Sequence, residues 1–309
     1  MKILFAATGD IALPTLEALN EAGLVCAVLS APDRPGKRGR DLIPTPIKKR
    51  ALELGLEVLT PEHLGSEVRR KVSALSPDTL VSFCYGKIFG PKFLSLFSST
   101  YNIHPSLLPR YRGCAPLRET ILNADREGAI SVQKIALGCD EGDIYASVTF
   151  PLDGTETEET LSERVSHIAP ELALKVLIER EKYVPVPQTG EVSWSRMTEK
   201  SEAELSVSMS LREIHAKIRA FYPWPKAYLR WNGEALYLCG VYGSVFSQEE
   251  CTPAEEAGTV VALDKQKGLK IALSDGYIYI TGLQKPTKKE LSAADFVNGN
   301  RSIIGSVLR

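Results

Sequence analysis

The stretch "DTLVSFC", residues 78–84, carries no charge after its first residue and does not alternate between apolar and polar positions. A strand with one face in water alternates with period two, so this run is expected to be buried on both faces, as in the middle of a parallel sheet. The segments around it fit that reading. "KILFAA" (2–7) is a second strand-like run, followed by a helical pattern through "LPTLEALNEAG" that ends at Gly23. "VCAVLS" (25–30), a helical "PIKKRALELG" (46–55) and a short "EVLT" (57–60) continue the alternation, and "YNIH" (101–104) is a further short strand. Strands alternating with helices predict an α/β fold, a mostly parallel sheet with helices on both faces. "AISVQKIA" (129–136) and "IYASVTF" (144–150) follow each other with no helix between them and are expected to add antiparallel strands at the sheet edge. A long amphipathic helix is predicted over 157–181, with Pro170 expected to kink or divide it.

Beyond residue 183 the pattern changes. "YVPVPQTGEVSWSRMTEKSEAE" has prolines, Gly190 and no sustained period. It reads as a linker over 187–205, separating a catalytic domain (1–186) from a smaller domain (206–309). That second part has one helical stretch, "LREIHAKIRAF" (211–221). Short strand-like runs separated by turn residues then predict a small β-barrel.

Charge is balanced, with 37 basic and 38 acidic side chains, so any nucleic-acid contact must be local rather than a property of the whole chain. No run approaches the roughly 18–20 apolar residues of a membrane span. "MKILFAATGD" is too short in its apolar part for a signal peptide and is expected to be a first buried strand. The six cysteines form no CxxC pair, which suits free thiols in a reducing cytoplasm. The four histidines are scattered without ligand spacing, so no metal site is expected.

The chemistry centres on "YNIHPSLLPRYRG" (101–113). His104 stands at the carboxyl end of a strand, where α/β sheets deliver functional groups. Asn102, two residues back, shares its face. An amide can donate to a developing oxyanion, and an imidazole can move a proton near neutral pH. The prolines that follow fix the chain's exit and would hold the pair rigid. A second polar loop, "LGCDEGDIY" (137–145), places Asp140, Glu141 and Asp143 among glycines. On the residues alone, any of the three acids is a candidate partner for His104.

"NIHPSLLPRYRG" followed by "DEGDI" resembles the signature of folate-dependent formyltransferases, with Cys139 in place of a commoner apolar residue before the acid. The resemblance implies Asn102, His104 and Asp140 as catalytic residues. It implies 10-formyltetrahydrofolate as co-substrate, held by Ser106, Leu107, Leu108 and Pro109 and by Tyr85, Gly86, Lys87 and Ile88 of "CYGKIF". The expected fold is Rossmann-like with an OB-like C-terminal barrel that binds tRNA. "APDRPGKRGRDLIPTPIKKR" (31–50) resembles the loop of the family members that act on methionyl-tRNA. Its basic, glycine-rich middle implies phosphate contact through Arg34, Lys37, Arg38 and Arg40. "IRAFYPWPKAY" (218–228) and "GLQKPTKKELSAADFVNG" (282–299) resemble the same members, so the similarity runs through nearly the whole chain. Trp224 is expected to sit in a packed aromatic corner. The first loop, "ATGDIALP" (7–14), departs from the family's usual Gly-Thr-Pro-Asp-Phe-Ala, and no GxGxxG dinucleotide fingerprint follows the first strand.

The implied reaction is transfer of the formyl group to the α-amino group of methionyl-initiator tRNA by a cytoplasmic, monomeric enzyme. Two alternatives stay open at this point. One is a formyltransferase acting on a sugar amine or purine precursor. The other is an RNA-binding protein that keeps the fold without turnover.

Overall fold

Seven strands make the first sheet: β1 Ile3–Ala7, β2 Val25–Leu29, β3 Glu57–Leu59, β4 Thr79–Phe83, β5 Ser99–His104, β6 Glu127–Gln133 and β7 Ile144–Pro151. The computed structural model describes residues 1–36 and 41–309. The strand order is β7-β6-β5-β4-β1-β2-β3. From β3 to β5 all neighbours are parallel, and β6 runs antiparallel to β5. β1 and β4 are buried at every position, as "DTLVSFC" predicts. Leu4, Leu29 and Leu80 pack with Val68 and Val72 of the helix Ser66–Leu75. The direction in which strands are added reverses between β1 and β4, so the crevice where open α/β sheets bind ligands lies at the carboxyl ends of these two strands, with β5 next to β4.

Local signals set the helix boundaries. Thr45 caps the helix Pro46–Glu53 by accepting the Lys48 N–H, and Pro46 stands in its first turn, where no backbone donor is missed. The helix Glu158–Ile178 runs through Pro170 and is not divided there. A proline there removes one backbone hydrogen bond. Val165, Ala169, Ala173, Val176 and Leu177 are buried on either side of it, and that packing outweighs a cost of about 3 kcal/mol.

The chain divides into two compact units. The first comprises residues 1–116, 128–150 and 162–196; the second comprises 117–127, 151–161 and 197–309. In the first unit, Trp194–Ser195 pairs in parallel with Arg112–Gly113.

The second unit holds β8 Tyr228–Trp231, β9 Glu234–Val241, β10 Val260–Asp264, β11 Gly268–Ala272 and β12 Tyr277–Gln284, in the order β8-β9-β12-β11-β10. All these pairs are antiparallel. Residues 306–309 bridge the two outer strands. Val260 N–H donates to Ser306 O (2.9 Å) on one side, and Arg309 N–H donates to Arg230 O (2.9 Å) on the other. The sheet edges are thereby closed into the barrel that the short strand-like runs predict. The helix Leu211–Ala220 begins with a capping box between Ser210 and Glu213 and buries Ile214 and Ile218. Among the described residues no helix is long and apolar enough to cross a membrane.

Candidate active site

β5 ends in the residues that matter. Its parallel register with β4 sets Asn102 beside Ser82, and its antiparallel register with β6 sets Asn102 opposite Gln133 and His104 opposite Ser131. Opposed residues share a face, so Gln133 stands on the same side of the sheet as Asn102. His104 is buried, with Nε2 2.9 Å from the Tyr111 carbonyl. A carbonyl only accepts, so Nε2 carries a proton and donates it there. The other ring nitrogen, Nδ1, faces Asp140 Oδ1 at 3.6 Å, beyond direct hydrogen-bond reach.

The loop after His104 is pinned from several directions. Ser131 Oγ donates to Ser106 O (2.7 Å) and accepts from Leu108 N–H (3.2 Å). Ser106 Oγ donates to Arg110 O (2.6 Å). Tyr111 has φ +57°, in the left-handed region, and its N–H donates to Ser193 Oγ (2.9 Å). These bonds aim the Tyr111 carbonyl at His104. The "PSLLP" run therefore acts here as a buttress for the imidazole.

Asp140 gathers donors. Oδ1 accepts from Asn102 Nδ2 (3.1 Å) and Gln133 Nε2 (2.8 Å); Oδ2 accepts from Gly113 N–H (2.9 Å). Gly113 has φ +110°, and a Cβ there would lie 2.2 Å from Ser195 O, so only glycine allows this approach. The Cys139 thiol also donates to Oδ2 at 3.4 Å. Burial and the neighbouring Asp140 charge push that thiol up to about 11, so it keeps its proton at neutral pH. Asn102 uses one amide N–H on Asp140, which fixes the amide plane and leaves its second N–H for another acceptor.

These groups line a cavity of ≈ 600 Å³, a size usual for small-molecule sites. Asn102, His104, Asp140 and Gln133 form its polar wall. Ile88, Ile103, Ile135 and Leu137 supply apolar surface. Tyr85, Gly86, Lys87 and Ile88 line it as well, on a loop anchored by the stacked rings of Tyr85, Phe89 and Phe93 with centroids 5.4 and 5.5 Å apart. Burial pushes the Tyr85 hydroxyl up to about 12. Lys87 Nζ is tied to the carbonyls of Pro61 and Glu62, and Thr8, in the unusual first loop, donates from Oγ1 to Tyr85 O (3.1 Å). The structure thus brings seven of the predicted residues around one cavity. Ser106, Leu107, Leu108 and Pro109 are not among its lining residues.

In the basic loop, Arg34 is exposed in a short hairpin opposite Ile43. Lys37, Arg38 and Arg40 lie outside the described residues. Lys48 pairs with Asp33 (2.7 Å), and Arg50 with Glu17 (2.6 Å) and Glu53 (3.1 Å), so two of the loop's flanking cations are neutralised within the fold. Arg118 donates to the Trp224 carbonyl (3.3 Å) and lies 6.0 Å from its ring, but the Trp224 side chain is 49% exposed, so it does not sit in the packed aromatic corner the sequence predicts.

Three residues around the site escaped sequence reasoning. Gln133 had a weak signal, since Ser131 and Gln133 are polar at period two in an otherwise apolar strand. Gln188 and Arg112 had none, because their contacts join segments far apart in the chain.

Comparison with known proteins covers both units. Residues 1–177 match the family described as formyl transferase, and residues 197–301 match the formyl transferase C-terminal domain. A methionyl-tRNA formyltransferase of Borreliella burgdorferi (strain ZS7) is 33% identical over 310 residues, covering 99% of this chain and 98% of that protein. Among solved structures, a methionyl-tRNA formyltransferase from Clostridium thermocellum superposes with a TM-score of 0.57 at 21% identity, covering 78% of this chain and 93% of that one. HypX from Aquifex aeolicus, solved with tetrahydrofolic acid, superposes with a TM-score of 0.62 at 20% identity, covering 96% of this chain and 47% of that one. These two share the fold.

Proposed function

The chain belongs to the formyl transferase family, and we propose how its residues divide the work of moving a formyl group from 10-formyltetrahydrofolate to the α-amino group of methionyl-initiator tRNA. The observation that carries the reading is the meeting of Asn102, His104 and Asp140 on the polar wall of one cavity.

The cavity fits the folate co-substrate. Its apolar surfaces at Ile88, Ile135 and Leu137 suit a flat ring, and the backbone of 85–88 offers polar edges beside them. When bound, the folate supplies a formyl carbon activated by attachment to nitrogen. Asn102 directs its second amide N–H at the formyl oxygen as negative charge grows there. His104 keeps Nε2–H on Tyr111 O, so Nδ1 is the atom that exchanges a proton with the attacking amine. Asp140 orients Asn102 through Oδ1 and presents a negative charge to Nδ1. The basic loop, through Arg34, Lys37, Arg38 and Arg40, contacts tRNA phosphates, and the C-terminal barrel adds to RNA binding. A monomer working in the cytoplasm completes the reading.

A formyl-transfer assay with charged initiator tRNA, charged elongator tRNA and a nucleotide-sugar amine tests it. Turnover is expected with charged initiator tRNA. Transfer to the sugar amine alone would overturn the reading.

A further inference from the structure

Asp140 sits in an uncommon backbone conformation. Its φ is +52°, in the left-handed region that side chains with a Cβ seldom adopt. The turn it opens is tight: a Cβ on Gly142 would lie 1.7 Å from Lys134 O. A catalytic carboxylate on such a turn needs something outside the turn to hold it.

Gln188 meets that need. Its Nε2 is 2.8 Å from Asp140 O and 2.8 Å from Gly142 O, so one side-chain amide ties both carbonyls of the turn. Its Oε1 accepts from Arg112 Nε (3.1 Å) and Nη2 (2.8 Å). A guanidinium only donates and a peptide carbonyl only accepts, so the amide has one satisfied orientation. Arg112 is held in turn, 3.5 Å from the Glu141 carboxylate and 5.7 Å from the Trp194 ring. The residue after Arg112 is Gly113, whose N–H binds Asp140 Oδ2. Gln188 therefore grips the main chain of Asp140 while the segment that orients Gln188 grips its carboxylate.

We propose that Gln188 is a positioning residue for Asp140, with Arg112 fixing the direction of its amide; this rests on the role given to Asp140 above. Gln188 does not line the cavity, so its effect on turnover runs through the turn and through Gln133, whose Oε1 lies 3.4 Å from Gln188 Nε2 and whose amide donates to Asp140. The segment around Gln188, between the long helix and Trp194, is thus part of the catalytic frame.

A double-mutant cycle decides the matter. Gln188→Met keeps length and loses both donors; Asp140→Ala removes the group acted upon. Formyl transfer is measured with saturating charged tRNA, and thermal melting confirms folding. Gln188→Met is expected to lower kcat about 10- to 100-fold with the folate KM nearly unchanged, and to lower it less than about twofold in the Asp140→Ala background. Full multiplication of the two effects, or a normal kcat for Gln188→Met beside a slow Asp140→Ala, would overturn the role of Gln188. A normal kcat for Asp140→Ala would instead overturn the reading of Asp140. Should Gln188→Met fail to fold, Gln188→Glu, which keeps the shape and the Arg112 interaction, carries the same expectations.

Discussion

Two polar clusters in this molecule invite comparison, one around Asp140 in the first unit and one around His215 and Arg219 in the second. Both contain a buried histidine beside a charged side chain. Around Asp140 the carboxylate collects three N–H donors and stands at the wall of a large cavity. In the second cluster Arg219 Nε donates to His215 Nδ1 (3.1 Å) and Arg219 Nη1 to Glu156 O (2.9 Å), with no cavity of that size beside them among the described residues. Burial, then the Arg219 charge, pushes His215 down to about 4. Burial likewise pushes Arg219 down to about 10. A strongly shifted histidine is often taken as a mark of function. Here it marks a structural hydrogen bond, because His215 accepts from a cation and must stay neutral to do so. Access to a cavity, not the size of a shift, separates the two clusters.

Removing the histidine from each cluster should have opposite consequences. His104→Ala and Asn102→Ala are each expected to slow formyl transfer by at least about 100-fold, the usual cost of removing a proton-transfer group or oxyanion donor. Stability should fall by no more than about 2 kcal/mol, since each removes few hydrogen bonds. Steady-state kinetics beside thermal melts would show it. A folded variant that turns over normally would break the contrast at its root.

The first cluster was partly legible in the sequence because its central pair is local. Asn102 and His104 share a face by strand period, and a rigid proline-rich run follows them. Asp140 was findable as an acid among glycines, and the family pattern selected it over Glu141 and Asp143. Gln133 depends on the antiparallel register of β5 and β6, which no local pattern reveals. Gln188 lies where periodicity fails, in a segment held by side-chain bonds and by separate backbone contacts at Val186 and Ser193 rather than by one continuous ladder. In the second unit the short strands were readable, but the closure of the barrel by residues 306–309 was not, because it joins Arg309 to Arg230.

The second cluster makes a prediction about pH. The folded chain keeps His215 neutral down to about 4, whereas an unfolded chain binds the proton below about 6.5. Between these values the unfolded state holds more protons, so stability falls as pH drops through that window and is unaffected by this group above it. The full loss is roughly 3 kcal/mol. His215→Leu should flatten the profile between about pH 6.5 and 4. At pH 7.5 it should cost about 1–3 kcal/mol, because Arg219 Nε loses its acceptor. Its kcat below the melting temperature should match the parent. Denaturant melts across this range, compared between the two proteins, provide the measurement; an equally steep fall in the variant would remove His215 as the cause.

The smallest expected effect concerns charges that neither cluster contains. Lys48 and Arg50 are already paired with Asp33, Glu17 and Glu53, so they have little attraction left for RNA. Arg34 is exposed, and Arg38 and Arg40 follow it in a glycine-rich stretch. Binding a phosphate releases its counterions, so removing one cation that binds a phosphate should flatten the salt dependence of tRNA affinity by roughly one unit of slope. Replacing Arg38 and Arg40 with Ala should therefore weaken tRNA binding severalfold and make it less sensitive to salt. Lys48→Ala should leave the slope nearly unchanged, since its charge is spent within the fold. Folate affinity should stay the same in both, as the cavity proposed for it is walled by other residues. Titrations of charged tRNA at several salt concentrations separate these outcomes. If the Arg38/Arg40 variant kept the parent slope, phosphate recognition would have to be sought away from this loop, on the lysines and tyrosines of the barrel.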